Sequence, residues 1–365
     1  MIGFSGSRPL ITLYASELGA SYFEIGLLVT LFSVLPLLTS VFLGRKIDKI
    51  GQWKPLMFSV LLGCISLLIP LFIKGIASIY LSQILGGLAQ ITFVVAFQSF
   101  VGRHSKKKIR DYFISIFSIG MALGHFIGPL VSGFLADRIS FVYSIASLGL
   151  LIILTLPMLV VLDIKNVRRK KRSNEEIEKN RLTTLLEIPD LRRAFLISAI
   201  ILLAKDIFVA YYPLLGVYKG YSNTNIGLII SLNAAAGLLI RIILPSLLNR
   251  FKANQVTIFT IISSGVLFVI FPLFENMLLV SILSLLLGFS LGIGQPLSIS
   301  MTINALPVHS VGEGLGLRLT INKCTQVVGP LVLGSVSGLM GISSIFYFCG
   351  AVILTGSFNL LKKSS

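Results

Sequence analysis

Eleven apolar runs of about 20 residues constrain this chain more than any other feature. They fall at roughly 22–43, 55–73, 77–101, 112–136, 140–162, 194–215, 223–247, 254–274, 276–303, 312–338 and 342–361. A helix needs about 20 such residues to cross the hydrocarbon of a bilayer. Backbone N–H and C=O groups meet no water there, so an uninterrupted apolar run crosses as helix. Residues 1–16 suggest a twelfth span, although 16 residues rise only about 24 Å as helix and the segment carries Ser5, Ser7 and Arg8. The expected fold is an all-α membrane protein of about twelve helices, the first short or truncated at this start. No cationic stretch precedes the first apolar run, which argues against a cleaved signal peptide.

The chain also repeats itself. The stretch Gly124-His125-Phe126-Ile127-Gly128-Pro129-Leu130-Val131-Ser132-Gly133 is echoed by Val328-Gly329-Pro330-Leu331-Val332-Leu333-Gly334, with Gly128 and Gly329 separated by 201 residues. The same spacing relates Ile25-Gly26-Leu27 to Ile226-Gly227-Leu228, Asp48-Lys49 to Asn249-Arg250, and Gly87 to Gly288. Pro9-Leu10 and Pro213-Leu214 are 204 apart, a slip that a loop after the first helix of a half absorbs. A repeat on this scale reads as duplication. It predicts two six-helix bundles, 1–163 and 193–365, joined by a linker at 164–192 whose Lys165, Arg168 to Arg172 and Glu175 to Glu178 suit the cytoplasmic leaflet surface.

A formal charge of +17 raises the question of nucleic acid, and the placement of the charges answers it. Of 31 Lys and Arg residues, 23 fall in the loops after the even-numbered spans or at the C-terminus. Three (Lys74, Arg138, Lys219) lie in the opposite loops, and five (Arg8, Lys205, Arg241, Arg318, Lys323) lie within spans. By the positive-inside rule both termini face the cytoplasm of a multi-pass cell-membrane protein. Basic residues that alternate with membrane spans form no aromatic-interleaved surface for nucleic acid. Cys64, Cys324 and Cys349 show no paired spacing, so no disulfide framework or metal site is indicated. His104, His125 and His309 sit in different elements with no nucleophile constellation, and Gly292-Ile293-Gly294 follows no strand, which excludes a phosphate loop. The expectation is a protein that is not an enzyme and holds no cofactor or metal.

The loop after the second span reads Gly44-Arg45-Lys46-Ile47-Asp48-Lys49-Ile50-Gly51-Gln52-Trp53-Lys54-Pro55. Gly-x-x-x-Asp-Lys-x-Gly with a following base, between helices 2 and 3 of a twelve-helix protein, resembles the signature loop of the major facilitator superfamily. Gly44, Asp48, Lys49, Gly51 and Lys54 match, Gln52 and Trp53 depart, and Asn249-Arg250 stands where the family keeps a weaker second copy. The resemblance covers essentially the whole chain. It implies a fold of two six-helix bundles, transport of a small molecule by alternating access, and a cytoplasmic gate at this loop. Gly124, Gly128, Pro129 and Gly133 in the fifth span are similar to the motif of the drug/proton antiporters, in which that helix is a hinge-like packing surface. One departure is Gln83, four residues before Gly87, where drug-efflux members often carry Arg. A neutral amide does not exchange charge with a proton.

Ionisable groups inside spans are costly and mark function by default. The candidates for substrate binding or coupling are Arg8, Gln83, His125, Lys205, Asp206, Arg241, Arg318, Asn322, Lys323 and Gln326. Arg318, Asn322 and Gln326 recur every fourth residue and share one helix face. Asp206 is the single acid away from the ends of the spans and the leading candidate for coupling to a proton gradient, with Glu24 and Glu313 near helix ends as lesser ones. Five bases against one acid favour an anionic substrate group. The first reading is proton-coupled efflux of small amphiphilic compounds by a monomer in the lipid bilayer. The second is uptake or exchange of an anionic metabolite, motivated by Arg241, Arg318 and Lys323. A third, from another class, is a membrane sensor or scaffold that does not transport.

Overall fold

The computed structural model describes residues 1–104, 107–161, 187–306 and 311–361. His309 and the stretch 164–186 of the predicted linker lie outside the described residues. Among those described there is no strand, and thirteen α-helices follow one another. They are α1 Ile2–Glu17, α2 Tyr22–Ile50, α3 Trp53–Phe72, α4 Ile76–His104, α5 Lys107–Arg138, α6 Phe141–Ile153, α7 Leu156–Val161, α8 Pro189–Tyr218, α9 Asn223–Arg250, α10 Ala253–Ile270, α11 Met277–Asn304, α12 Val311–Met340 and α13 Ile342–Leu361. Nine stretches of these helices are long and apolar enough to cross a membrane. The chain is therefore an all-α, multi-pass membrane protein, as its apolar runs predict. The two runs not among the nine are 312–338, where α12 carries Arg318, Asn322, Lys323 and Gln326, and 342–361, of which Ile342–Ser357 is the described apolar stretch. Large apolar side chains turn outward, with Phe72 at 78%, Ile242 at 71% and Leu339 at 90% exposure, as lipid contact requires. Buried hydroxyls such as Ser59, Ser66, Ser132 and Thr302 donate to carbonyls three or four residues earlier in their own helices, which satisfies them without breaking the helix.

Two boundaries differ from the sequence reading. The predicted gate loop is largely helix: α2 continues through Gly44, Asp48 and Lys49 to Ile50, Asn249 and Arg250 close α9, and Lys54 lies in the first turn of α3. What ends α2 is Gly51, at φ +87°, a backbone region that disfavours any side chain. Gly44 is simply tolerated inside the helix. The predicted sixth span breaks at Leu154-Thr155, giving α6 and α7.

The chain divides into two compact units: Met1–Glu176 with Ser222–Gly227, and Ile177–Tyr221 with Leu228–Ser365. Within the first, α1 packs on α5 and α6, and α3 on α4 and α6. Within the second, α8 packs on α12 and α13, and α10 on α11 and α13. These are the same four pairings one repeat later. A local contact carries the register too. A β-carbon at Gly87 would overlap the Phe32 carbonyl, and one at Gly288 would overlap the Asn233 carbonyl. Phe32 and Asn233 are themselves 201 residues apart. Each glycine thus lets two helices cross at backbone contact.

Candidate functional site

In the first unit the glycines of α5 form the seat of α1. A β-carbon at Gly128 would lie 2.7 Å from the Gly6 nitrogen and 2.8 Å from the Ile2 oxygen, and one at Gly124 would lie 2.6 Å from the Met1 β-carbon. Gly133 meets the backbone of Asn223 and Gly227, in the first turn of α9, which belongs to the same unit. Asp137, one turn further along α5, accepts hydrogen bonds from the backbone N–H groups of Asn223 (2.9 Å) and Thr224 (2.7 Å). Those donors open a helix and have no partner within it. The same α1–α5 contact holds a polar pair, Ser5 Oγ and His125 Nδ1, 2.9 Å apart. Arg8 extends from α1 so that its guanidinium lies 5.3 Å from the centre of the Phe32 ring. Gln83 is buried in α4.

The second unit brings most of the remaining candidates together between α8, α11 and α12. Asp206 is buried in α8 and accepts a 2.6 Å hydrogen bond from Nε2 of Gln326. The Oε1 of the same amide accepts a 2.7 Å bond from Lys323 Nζ. A carboxylate only accepts and an ammonium only donates, so one orientation of Gln326 satisfies both neighbours. The amide therefore couples the acid and base electrostatically across α8 and α12. Tyr211, a little over one turn beyond Asp206, fixes the same helix pair by donating to the Pro330 carbonyl at 2.9 Å.

A second group lies on the same face of α12. Arg318 is only 3% exposed, and its Nη2 donates to Gln295 Oε1 of α11 at 3.0 Å. Asn322, one turn on, is equally enclosed at 4%. The predicted i, i+4, i+8 face of Arg318, Asn322 and Gln326 is thus buried in protein. Lys205, half-buried, precedes Asp206. Arg241 lies on α9 with an exposed side chain.

Two features were missed in the sequence. Gln295 looks like one neutral residue in a long apolar run, and only its position beside Pro296, which leaves a helix carbonyl unpaired, hinted at a polar locus. The other is a symmetry: Ser5 and Asp206 are 201 residues apart, and so are His125 and Gln326. At that spacing, rather than the 204 that relates Pro9 to Pro213 in the same helices, the pair Ser5···His125 in one unit matches Asp206···Gln326 in the other. His125 is half of a duplicated polar contact. Applying the repeat spacing to every polar residue would have found it.

Comparison with known proteins agrees with this architecture. The chain matches the sequence model of the Major Facilitator Superfamily over residues 1–322 and again over 194–363. It is 22% identical to multidrug resistance protein 2 of Bacillus subtilis (strain 168) over 361 residues, covering 95% of this chain and 88% of that protein. It is 23% identical to the quinolone resistance protein NorA of Staphylococcus aureus (strain MRSA252), covering 95% and 89%. Among solved structures, a peptide transporter POT superposes with a TM-score of 0.80 at 17% identity, covering all of this chain and 91% of that one.

Proposed function

The chain belongs to the major facilitator superfamily, whose members are transporters and not enzymes, and from that premise we propose that it exports small amphiphilic compounds in exchange for protons. The observation that carries this reading is the Asp206–Gln326–Lys323 bridge. An acid and a base held in a helical membrane protein by one amide is costly to assemble and is the kind of intramembrane group that serves ion movement. The resistance proteins named above point the same way.

In this mechanism Asp206 is the proton acceptor. While it is ionised, Gln326 donates to it and accepts from Lys323. When it takes a proton the carboxyl loses its charge but keeps an acceptor oxygen, so the bond from Gln326 falls from a charge-assisted one to a weaker neutral one. Where the new O–H points at Gln326 the amide must turn, and its NH₂ then faces the Lys323 ammonium, two donors with no acceptor between them. Protonation of one helix is thereby felt as a changed partner for Lys323 on another, which is the linkage a coupled transporter needs. The substrate is exposed alternately to the two sides, with bundles at 1–163 and 193–365, a linker at 164–192 and both termini at the cytoplasmic face of the cell membrane, the arrangement favoured by the Lys and Arg distribution. Gly44, Asp48, Lys49, Gly51 and Lys54 form the cytoplasmic gate, with Asn249-Arg250 as its weaker copy.

The buried Arg318 favours a second reading, uptake or exchange of an anionic metabolite. Reconstitution into proteoliposomes tests both. Export predicts counterflow of an amphiphile from a panel, accelerated by an imposed pH gradient, with the acceleration lost in Asp206→Asn. Gradient-independent exchange confined to anions would favour the second reading. No flux of any compound would sink both and leave the sensor or scaffold.

A further inference from the structure

Resting on the transport reading, we infer that Arg318, Gln295 and Asn322 form the substrate's head-group subsite, built for a carboxylate-class oxyanion whose neighbouring carbon bears a hydroxyl or N–H donor. Three polar atoms in this group are buried without a hydrogen-bond partner: Arg318 Nε, Gln295 Nε2 and Asn322 Oδ1. They are two donors and one acceptor. The orientation of Gln295 follows from its contact, because Oε1 accepts from Arg318 Nη2 at 3.0 Å and Nε2 is left as the donor. A guanidinium edge beside an amide N–H matches the two oxygens of a carboxylate. The leftover acceptor on Asn322 calls for a donor carried by the ligand next to that carboxylate. A buried polar group left unpaired costs about as much as a hydrogen bond to a charged group gains, so a ligand supplying all three partners binds with a large differential.

The fold itself does not require these residues. One repeat earlier, the positions of Gln295, Arg318 and Asn322 are held by Val94, Phe117 and Met121. There the crossing of α4 and α5 is closed by apolar side chains, with Phe117 stacked on Phe97 at 4.8 Å between ring centres. Replacing such a contact by an enclosed cation whose described acceptor is a neutral amide destabilises the unit, since buried charges cost more than hydrophobic contacts of similar size. Both units therefore close this crossing, and the second places donors and an acceptor where the first places a phenylalanine stack. The head group also reconciles the two transport readings, because an amphiphilic acid is both drug-like and anionic.

The test uses the full chain in lipid nanodiscs and three probes with one apolar body. Mandelate carries the carboxylate and the hydroxyl, mandelamide lacks the charge, and phenylacetate lacks the hydroxyl. Binding is read from ligand-dependent thermal stabilisation, with a thiol-reactive dye reporting exposure of the buried Cys64 and Cys349 once the exposed Cys324 is replaced by Ser. Mandelate should half-saturate at about a tenfold or more lower concentration than mandelamide, and several-fold lower than phenylacetate. Arg318→Gln should erase the preference for mandelate over mandelamide, and Asn322→Leu the preference over phenylacetate. Should Arg318→Gln fail to fold, Arg318→Lys keeps the charge but loses the guanidinium edge and should weaken mandelate by about tenfold. Equal stabilisation by mandelate and mandelamide, no response to any probe, or preferences that survive these substitutions would overturn the subsite. Binding without flux would leave the subsite standing and remove the transport reading, and flux of amphiphiles without the carboxylate preference would do the reverse.

Discussion

Placing a methyl group at Gly128 tests how α1 is held on α5. The added β-carbon would lie 2.7 Å from the Gly6 nitrogen, 2.8 Å from the Ile2 oxygen and 3.0 Å from the Ser5 β-carbon. All three atoms belong to α1 and two are backbone, so no rotamer change relieves the contact. Reaching ordinary van der Waals separation requires α1 to withdraw by roughly 0.5–1 Å. Overpacking of this kind costs about 1–3 kcal/mol, against which alanine gains about 1 kcal/mol of helix propensity over glycine. Gly120, two turns away in the same helix, has no atom within 4 Å of its would-be β-carbon and serves as the matched control. The propensity gain is common to both, so Gly120→Ala should exceed Gly128→Ala in stability by about 1–3 kcal/mol, the overpacking alone. In detergent, with the dye reporting Cys64 and Cys349, that is a difference of roughly 1–4 °C in the unfolding midpoint of a 365-residue chain. Withdrawal of α1 also stretches the 2.9 Å Ser5···His125 contact, one turn away, so Gly128→Ala should impair transport where Gly120→Ala does not. Equal midpoints and equal transport would refute the reasoning and remove the α5 glycines as the seat of α1.

Gln326→Leu removes both bonds of the bridge, each worth about 1.5–3 kcal/mol when left unmade, and should cut transport driven by a pH gradient at least about tenfold with the protein still inserted; unchanged initial rates in proteoliposomes would count against the bridge. Gly51→Ala meets no atom within 4 Å but forces alanine to φ +87°, so it should lose about 1–2 kcal/mol of thermal stability through backbone strain alone, and a neutral result would show that the end of α2 is not set there. Tyr221, between α8 and α9, donates to the Glu275 carbonyl at 2.6 Å. Burial, and then the nearby Glu275 carboxylate, hold its phenol above the ordinary value of 10.0. The folded state therefore favours the neutral phenol, a contribution fully present below about pH 10 and lost as pH rises through the raised folded value. Wild type should exceed Tyr221→Phe by about 1 kcal/mol at pH 8, with a smaller margin at pH 11 by thermal unfolding; a margin that stayed constant would refute the assignment.

Much of the architecture was legible because the bilayer simplifies the code. A run of apolar residues such as 254–274 can become little else than a helix, and the observed α10 at Ala253–Ile270 with the turn that follows lies where the run does. The 201-residue repeat was legible for a similar reason: glycines at helix crossings tolerate no β-carbon, so Gly87 and Gly288 mark the same contact. Where α2 ends was misread at Gly44, because a glycine's presence does not say whether its φ is negative, as inside the helix, or positive, as at Gly51.

For the site, sequence alone placed Asp206, Arg318, Asn322, Lys323 and Gln326 on helices, and three of them on one face, because helical periodicity is a local property. Which of them meet is a matter of how helices far apart in the chain cross, and only the tertiary structure decided it. It joined Asp206 to Gln326 across 120 residues, paired Arg318 with an unremarked Gln295, and left Arg241 exposed. Hydrogen bonds are short-ranged and directional, so the difference between a charge and a working site is a few ångströms of packing that no spacing along the chain encodes.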